Sequence, residues 1–163
     1  VLSKKYKKIL FVTASFSYME QEPRGKKRLD GYIDRMLQKN LKPNNFHISD
    51  PLDYIKSGYE IFEYYKKNKS KIDCIITFNE MTGLGMLSTA IKKNIKVPAQ
   101  LGIAGIGHVS VNNLLTPKLT TIDTNQYEMG KLAASKLIDR ISGIKMKQKI
   151  FDVGTSIING LSL

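Results

Sequence analysis

"DCIITFNEMTGLGMLSTAIKKNIKVPAQLGIAGI", residues 73–106, decides the fold. Residues 73–78 form a short apolar run, the pattern of a parallel strand covered by helices on both faces. The stretch 81–94 then places Leu84, Leu87 and Ile91 at helical spacing, and 100–106 returns as a second buried strand. A strand, a helix and a strand in this order imply a crossover between parallel neighbours.

The same alternation extends in both directions. Upstream, 7–13 reads as a strand and 25–40 as a helix carrying Leu29, Tyr32, Ile33, Met36 and Leu37. A strand at 44–49 and a helix at 53–68 follow. Downstream, 119–122 is a short strand, and 125–143 is the clearest helix. It has Met129, Leu132, Ala133, Leu137 and Ile141 on one stripe and Gly143 at its stop. The run 149–159 closes as a strand. The pattern predicts an open α/β scaffold with a mainly parallel sheet, in which ligands sit beyond the carboxyl ends of the strands.

Composition narrows the function. A chain of 163 residues with 42% hydrophobic residues buries a real core. No apolar run approaches the ~20 residues of a membrane span. The start, "VLSKKYKKILFV", carries no cleavage pattern and reads as a strand. The single cysteine, Cys74, lies in an apolar run and reads as a core residue, which excludes a disulfide framework. The net charge is +12, but only four of the 26 basic residues are arginines, and the lysines are scattered over helices and loops. Such scatter reads as solvated faces instead of a nucleic-acid groove.

Gly102, Gly105 and Gly107 crowd the exit of the 100–106 strand. A dinucleotide loop needs G-x-G-x-x-G, and Ser110 stands at the third glycine position. The phosphate-loop pattern is absent as well. His47 and His108 are far apart, no G-x-S-x-G elbow exists, and no metal-ligand spacing appears, so no enzyme activity and no cofactor are expected. The strand ends are richer. Asn79 and Glu80 follow 73–78, where Asn79 caps the next helix or meets hydroxyls of a polyol. Arg24 and Arg28 stand in the first loop-to-helix segment, where a guanidinium can fork onto hydroxyls, carboxylate or phosphate.

Six motifs in order carry a family resemblance across essentially the whole chain. They are "RLDGY" (28–32), "SGYE" (57–60), "FNEMTGLGML" (78–87), Val97-Pro98 with the Gly105 strand, "TPKLTT" (116–121) and "YEMG" (127–130). Together they resemble the lactose/galactose-repressor (LacI/GalR) family of bacterial transcription regulators. The resemblance implies a type I periplasmic-binding-protein-like fold, of which this chain covers mostly the C-terminal subdomain. Residues 1–122 and 149–163 would form that subdomain, and the helix at 125–142 would belong to the other one. A DNA-binding helix-turn-helix would lie outside the chain. A periplasmic-type sugar-binding protein of a transport system shares the fold and is the alternative.

Carried over position by position, the resemblance implies effector contacts from Arg28, Asn79, His108 and Thr124. Phe16 and the pair Asp53 and Tyr54 fall where an aromatic stacks on sugar. Leu84, Leu87 and Ile91 would contribute to a homodimer interface. The departure is at Gly107: the family places there an Asp that binds sugar hydroxyls. Without it, an anionic effector such as a sugar acid or sugar phosphate fits better than a neutral sugar. The implied partners are that effector and operator DNA, the location is the cytoplasm, and no membrane is involved.

Overall fold

The computed structural model describes residues 6–107 and 110–163. Six strands form one sheet in the order β2-β1-β3-β4-β5-β6. They are β1 (Ile9–Thr13), β2 (Asn45–His47), β3 (Cys74–Thr77), β4 (Gly102–Ile106), β5 (Thr120–Asp123) and β6 (Ser156–Ile158). The first five are parallel, and β6 runs antiparallel to β5, with Ile157 opposite Ile122. The helices are α1 (Phe16–Gln21), α2 (Pro23–Gln38), α3 (Tyr54–Lys67), α4 (Glu80–Lys92) and α5 (Gln126–Ile141). The mainly parallel α/β architecture expected from the sequence is present. Two details differ. The segment after β1, read as a loop, contains α1, and the strand expected over 149–159 pairs only at 156–158.

Local chemistry sets the helix ends. Pro23 opens α2, where its missing N–H costs nothing, and the Glu22 carboxylate accepts from Gly25 N. Asp53 caps α3 by accepting from Lys56 N at 2.9 Å, and Asn79 caps α4 by accepting from Thr82 N at 2.7 Å. Asn40 and Asn94 take left-handed φ values of 54° and 57° just past α2 and α4, conformations that asparagine tolerates.

The two faces of the sheet are unlike. On one face Leu10, Val12, Ile75 and Ile103 are fully buried beneath α3 and α4. These helices cross at glycines. A Cβ on Gly58 would sit 2.3 Å from Gly85 O, and one on Gly85 would sit 2.0 Å from Tyr54 O. Only glycine permits that approach, and the close crossing seals the layer. On the other face α2 covers β1: Tyr32 stacks on Phe11 at 5.0 Å and donates to Ile9 O at 2.7 Å. Beyond α2 this face carries an apolar groove of about 660 Å³ running toward Ile157.

Near the carboxyl terminus Ser162 ties β4 to β5. Its carbonyl accepts from Ile103 N at 2.8 Å, its Oγ accepts from Thr120 N at 2.7 Å, and the hydroxyl donates to Ile103 O at 2.6 Å. The side chain is fully buried, so these bonds replace water that cannot reach β4 and β5 there. Helix α5 is the exception to the packing. None of its residues is buried, and Leu137, Ile138 and Ile141 are 59%, 62% and 77% exposed.

Candidate functional site

Because β1 to β5 are parallel, Thr13, His47, Thr77, Ile106 and Asp123 end at one edge of the sheet. A crevice beyond such an edge is where open α/β sheets take ligands. Arg28, on the second turn of α2, reaches this edge and donates from Nη1 to Phe78 O at 2.6 Å, beside Asn79. Burial, and then the charge of Arg24, press its pKa down from the ordinary guanidinium value. Among the described residues no carboxylate pairs with it, so a half-buried positive charge stands at the strand ends with donors to spare. Arg24 is different: it pairs with Glu22 at the surface.

Phe16 begins α1 and is 69% exposed, yet its ring stacks on His47 at 4.5 Å. His47 is oriented in turn. Its Nδ1 lies 3.0 Å from Ala14 O and 2.8 Å from Thr13 Oγ1, and its Nε2 lies 3.0 Å from Asn45 Nδ2. A carbonyl only accepts, so Nδ1 carries a proton. The pair gives the edge a flat aromatic face held by β1 and β2. His47 thus supports an aromatic that faces solvent.

Asn79 uses its Oδ1 for the α4 cap, which leaves its amide donors as the groups it can offer a ligand. Its neighbour Glu80 is 2% exposed, and its Oε1 accepts from Asn112 Nδ2 at 2.8 Å. Asn112 also donates to Leu119 O at 2.9 Å and accepts from Leu119 N at 2.8 Å. Glu80 is therefore an internal anchor for the loop after β4. No pattern along the sequence points to Asn112, because a single polar residue in a loop carries no periodicity.

Gly107 has φ +129°, donates to Ile122 O at 2.8 Å and accepts from Thr121 Oγ1 at 2.6 Å. A Cβ there would meet Glu80 Cβ at 3.5 Å and Glu80 Oε2 at 3.9 Å. The backbone shape and the buried carboxylate both disfavour an acidic side chain at this position. His108 lies outside the described residues. Thr124 is half-buried just past β5, beside the turn in which Asp123 Oδ1 accepts from Asn125 N.

Other expected positions are spent on structure. Asp53 is exposed and its carboxylate caps α3, while Tyr54 is half-buried with its backbone against Gly85. The interface expected on α4 needs correction. Leu84 and Leu87 are 6% and 0% exposed and belong to the core; of the three, only Ile91 reaches solvent. They face the sheet and α3, because α4 is covered on both of those sides. Leu52, Ile55 and Tyr59, before and within α3, are exposed as well.

An open parallel sheet with its polar groups gathered at one strand edge defines a ligand-binding α/β core. The chain belongs to the periplasmic binding protein-like domain family, whose model matches residues 1–163. The proteins it resembles are named as transcription regulators. It is 30% identical over 132 residues to the NTD biosynthesis operon regulator NtdR of Bacillus subtilis, covering 80% of this chain and 40% of that protein. It is 24% identical over 123 residues to the ribose operon repressor of Escherichia coli, covering 75% and 37%. The crystal structure of transcription regulator GntR from Chromobacterium violaceum superposes with a TM-score of 0.83 at 24% identity, over 99% of this chain and 58% of that one. The chain spans about two fifths of the length of these two sequence relatives. Both relatives are named for the regulation of an operon.

Proposed function

We propose that residues 1–163 form the larger part of one lobe of an effector-sensing core in a LacI/GalR-type transcription regulator. The effector is a small sugar-related anion, a sugar acid or sugar phosphate. The observation that carries this reading is Arg28: a half-buried guanidinium at the strand edge, bonded to a carbonyl and matched by no carboxylate among the described residues. Phe16 on His47 supplies an aromatic face for a ring or chain of carbons, and Asn79 and Thr124 supply hydrogen bonds. Gly107 leaves out the acidic group that would repel an anion.

In this reading α5 packs on a second lobe outside residues 1–163, and residues 1–122 and 149–163 make the lobe described here. Effector binding draws the lobes together, and the change in their orientation moves DNA-binding headpieces of a homodimer in the cytoplasm. Coupling of ~1–3 kcal/mol changes operator affinity about 5- to 150-fold. The protein acts by binding, not by catalysis.

Calorimetry on the complete regulator with glucose, gluconate and glucose 6-phosphate tests the reading, since the three share one carbon skeleton. Binding of gluconate or glucose 6-phosphate without binding of glucose is expected. Binding of glucose with neither anion overturns it.

A further inference from the structure

The lysines look scattered along the chain, but the parallel sheet gathers many of them. All parallel strands enter from one edge, opposite the effector edge, so the segments that lead into them lie side by side. In the order β2, β1, β3, β4 these segments carry Lys42, then Lys7 and Lys8, then Lys69 and Lys71, then Lys96. All six are exposed. Backbone bonds fix the edge: Phe11 N donates to Asn44 O at 2.9 Å, Asp73 N to Lys8 O at 2.9 Å, and Gly102 N to Asp73 O at 3.0 Å.

Helix ends do not account for this row. Lys66, Lys67 and Lys92, in the last turns of α3 and α4, answer the negative ends of those helices. The six lie outside the α-helices. Asp73 is the single carboxylate in segments 6–8, 40–44, 68–73 and 94–101, and its oxygens accept from the backbone amides of Lys7 and Lys8 at 3.0 Å each. Among the described residues none of the six forms an ion pair. Like charges held side by side repel and destabilise a compact domain, and a polyanion relieves that repulsion.

We infer that this edge holds duplex DNA by its phosphates, without regard to sequence. Four neighbouring strands span about 14 Å, over which each DNA strand presents about four charges. Ammonium groups on long stems meet phosphates as point charges. Among the described residues no exposed large apolar side chain falls in these segments, so the edge lacks the apolar anchor that a lipid surface or a protein partner uses. The contact belongs to this lobe itself, at the far edge of the sheet from Arg28, and does not depend on the effector.

Fluorescence anisotropy of the 1–163 chain with a short labelled duplex of arbitrary sequence tests the inference. Binding is expected, and it should weaken steeply between about 50 and 200 mM salt. Lys7→Gln, Lys8→Gln, Lys69→Gln and Lys71→Gln together are expected to weaken it by roughly tenfold or more and to lower the salt slope by about 3 to 4. Lys131→Gln, Lys145→Gln, Lys147→Gln and Lys149→Gln together remove the same charge from other exposed positions and should leave binding near the wild type. Absence of binding, equal losses in the two variants, or tighter binding to vesicles of phosphatidylserine and phosphatidylcholine than to the duplex overturns the inference. Equal losses would mean that net charge alone acts. Acetylation footprinting of the unaltered chain is the second arm, and it holds even if a variant fails to fold. DNA is expected to shield Lys7, Lys8, Lys69 and Lys71 and to leave Lys145, Lys147 and Lys149 reactive; the reverse pattern or uniform reactivity counts against the inference.

Discussion

Glu80 and Asn112 are joined inside the protein: Asn112 Nδ2 donates to Glu80 Oε1 at 2.8 Å while the same side chain bonds both backbone groups of Leu119. One asparagine thus holds a buried carboxylate and the start of β5 in fixed relation. Asn112→Leu keeps the bulk, strands both backbone groups of Leu119 and takes one hydrogen bond from the Glu80 carboxylate. A loss of about 3 kcal/mol in urea unfolding is expected, well above the effect of an exposed Asn→Leu change such as Asn113→Leu.

Arg28→Met keeps the aliphatic stem and removes the charge. Hydrogen bonds to a charged group contribute ~1.5–3 kcal/mol, so affinity for an anionic effector should fall roughly 10- to 150-fold. Titration calorimetry on the complete regulator reads this directly. Unchanged affinity would remove Arg28 from the site.

Gly107→Asp introduces the acidic side chain that the family resemblance implies at this point in sequence, but into φ +129° and against Glu80. Backbone strain alone costs ~1–3 kcal/mol. Thermal unfolding should shift down, and calorimetry should show no gain of neutral-sugar binding.

Gly58→Ala tests the crossing of α3 and α4. The added carbon would lie 2.3 Å from Gly85 O, which is backbone and cannot swing aside. Overpacking of this kind costs ~1–3 kcal/mol or more. Gly31→Ala, a helical glycine with nothing within 4 Å, is the contrast and should be neutral or stabilising.

Cys74 is fully buried, and burial pushes its thiol pKa up, with Asp73 adding to the effect. The unfolded thiol ionises near ~8.5 and the folded one later, so the contribution is fully present below that pH and declines above it. The decline reaches about 1.4 kcal/mol per pH unit from this group. Urea titrations at pH 8 and 9.5 should show a steeper fall for the native chain than for Cys74→Ala.

The architecture was legible because each element carries its own period. Residues 73–78 and 100–106 read as buried strands, and the stripe of 125–143 read as a helix whatever it packs on. Arg28 and Asn79 could be placed at strand ends because parallel topology puts every carboxyl end on one edge. Other features depend on relations between distant residues. Leu84 and Leu87 read equally as core or as interface, since an apolar helix face does not say which surface meets it. The stacking of Phe16 on His47 joins positions 31 apart, and the link from Glu80 to Asn112 spans 32. The open sheet face could not be read either, because β3 and β4 look equally apolar whether one face is covered or both.

Ser162, which ties β4 to β5, gives the protein a clock of its own. The strand order lets the sheet grow during synthesis: β3 and β4 each add beside a strand already made, and β5 and β6 follow outward. Ser162 leaves the ribosome after all of them, yet the amides of Ile103 and Thr120 wait for it. A nascent chain that stalls a few residues short therefore holds every strand but leaves two interior amides unanswered. Such a product would be open at β4 and β5, the place where a protease that surveys unfinished proteins would first gain entry.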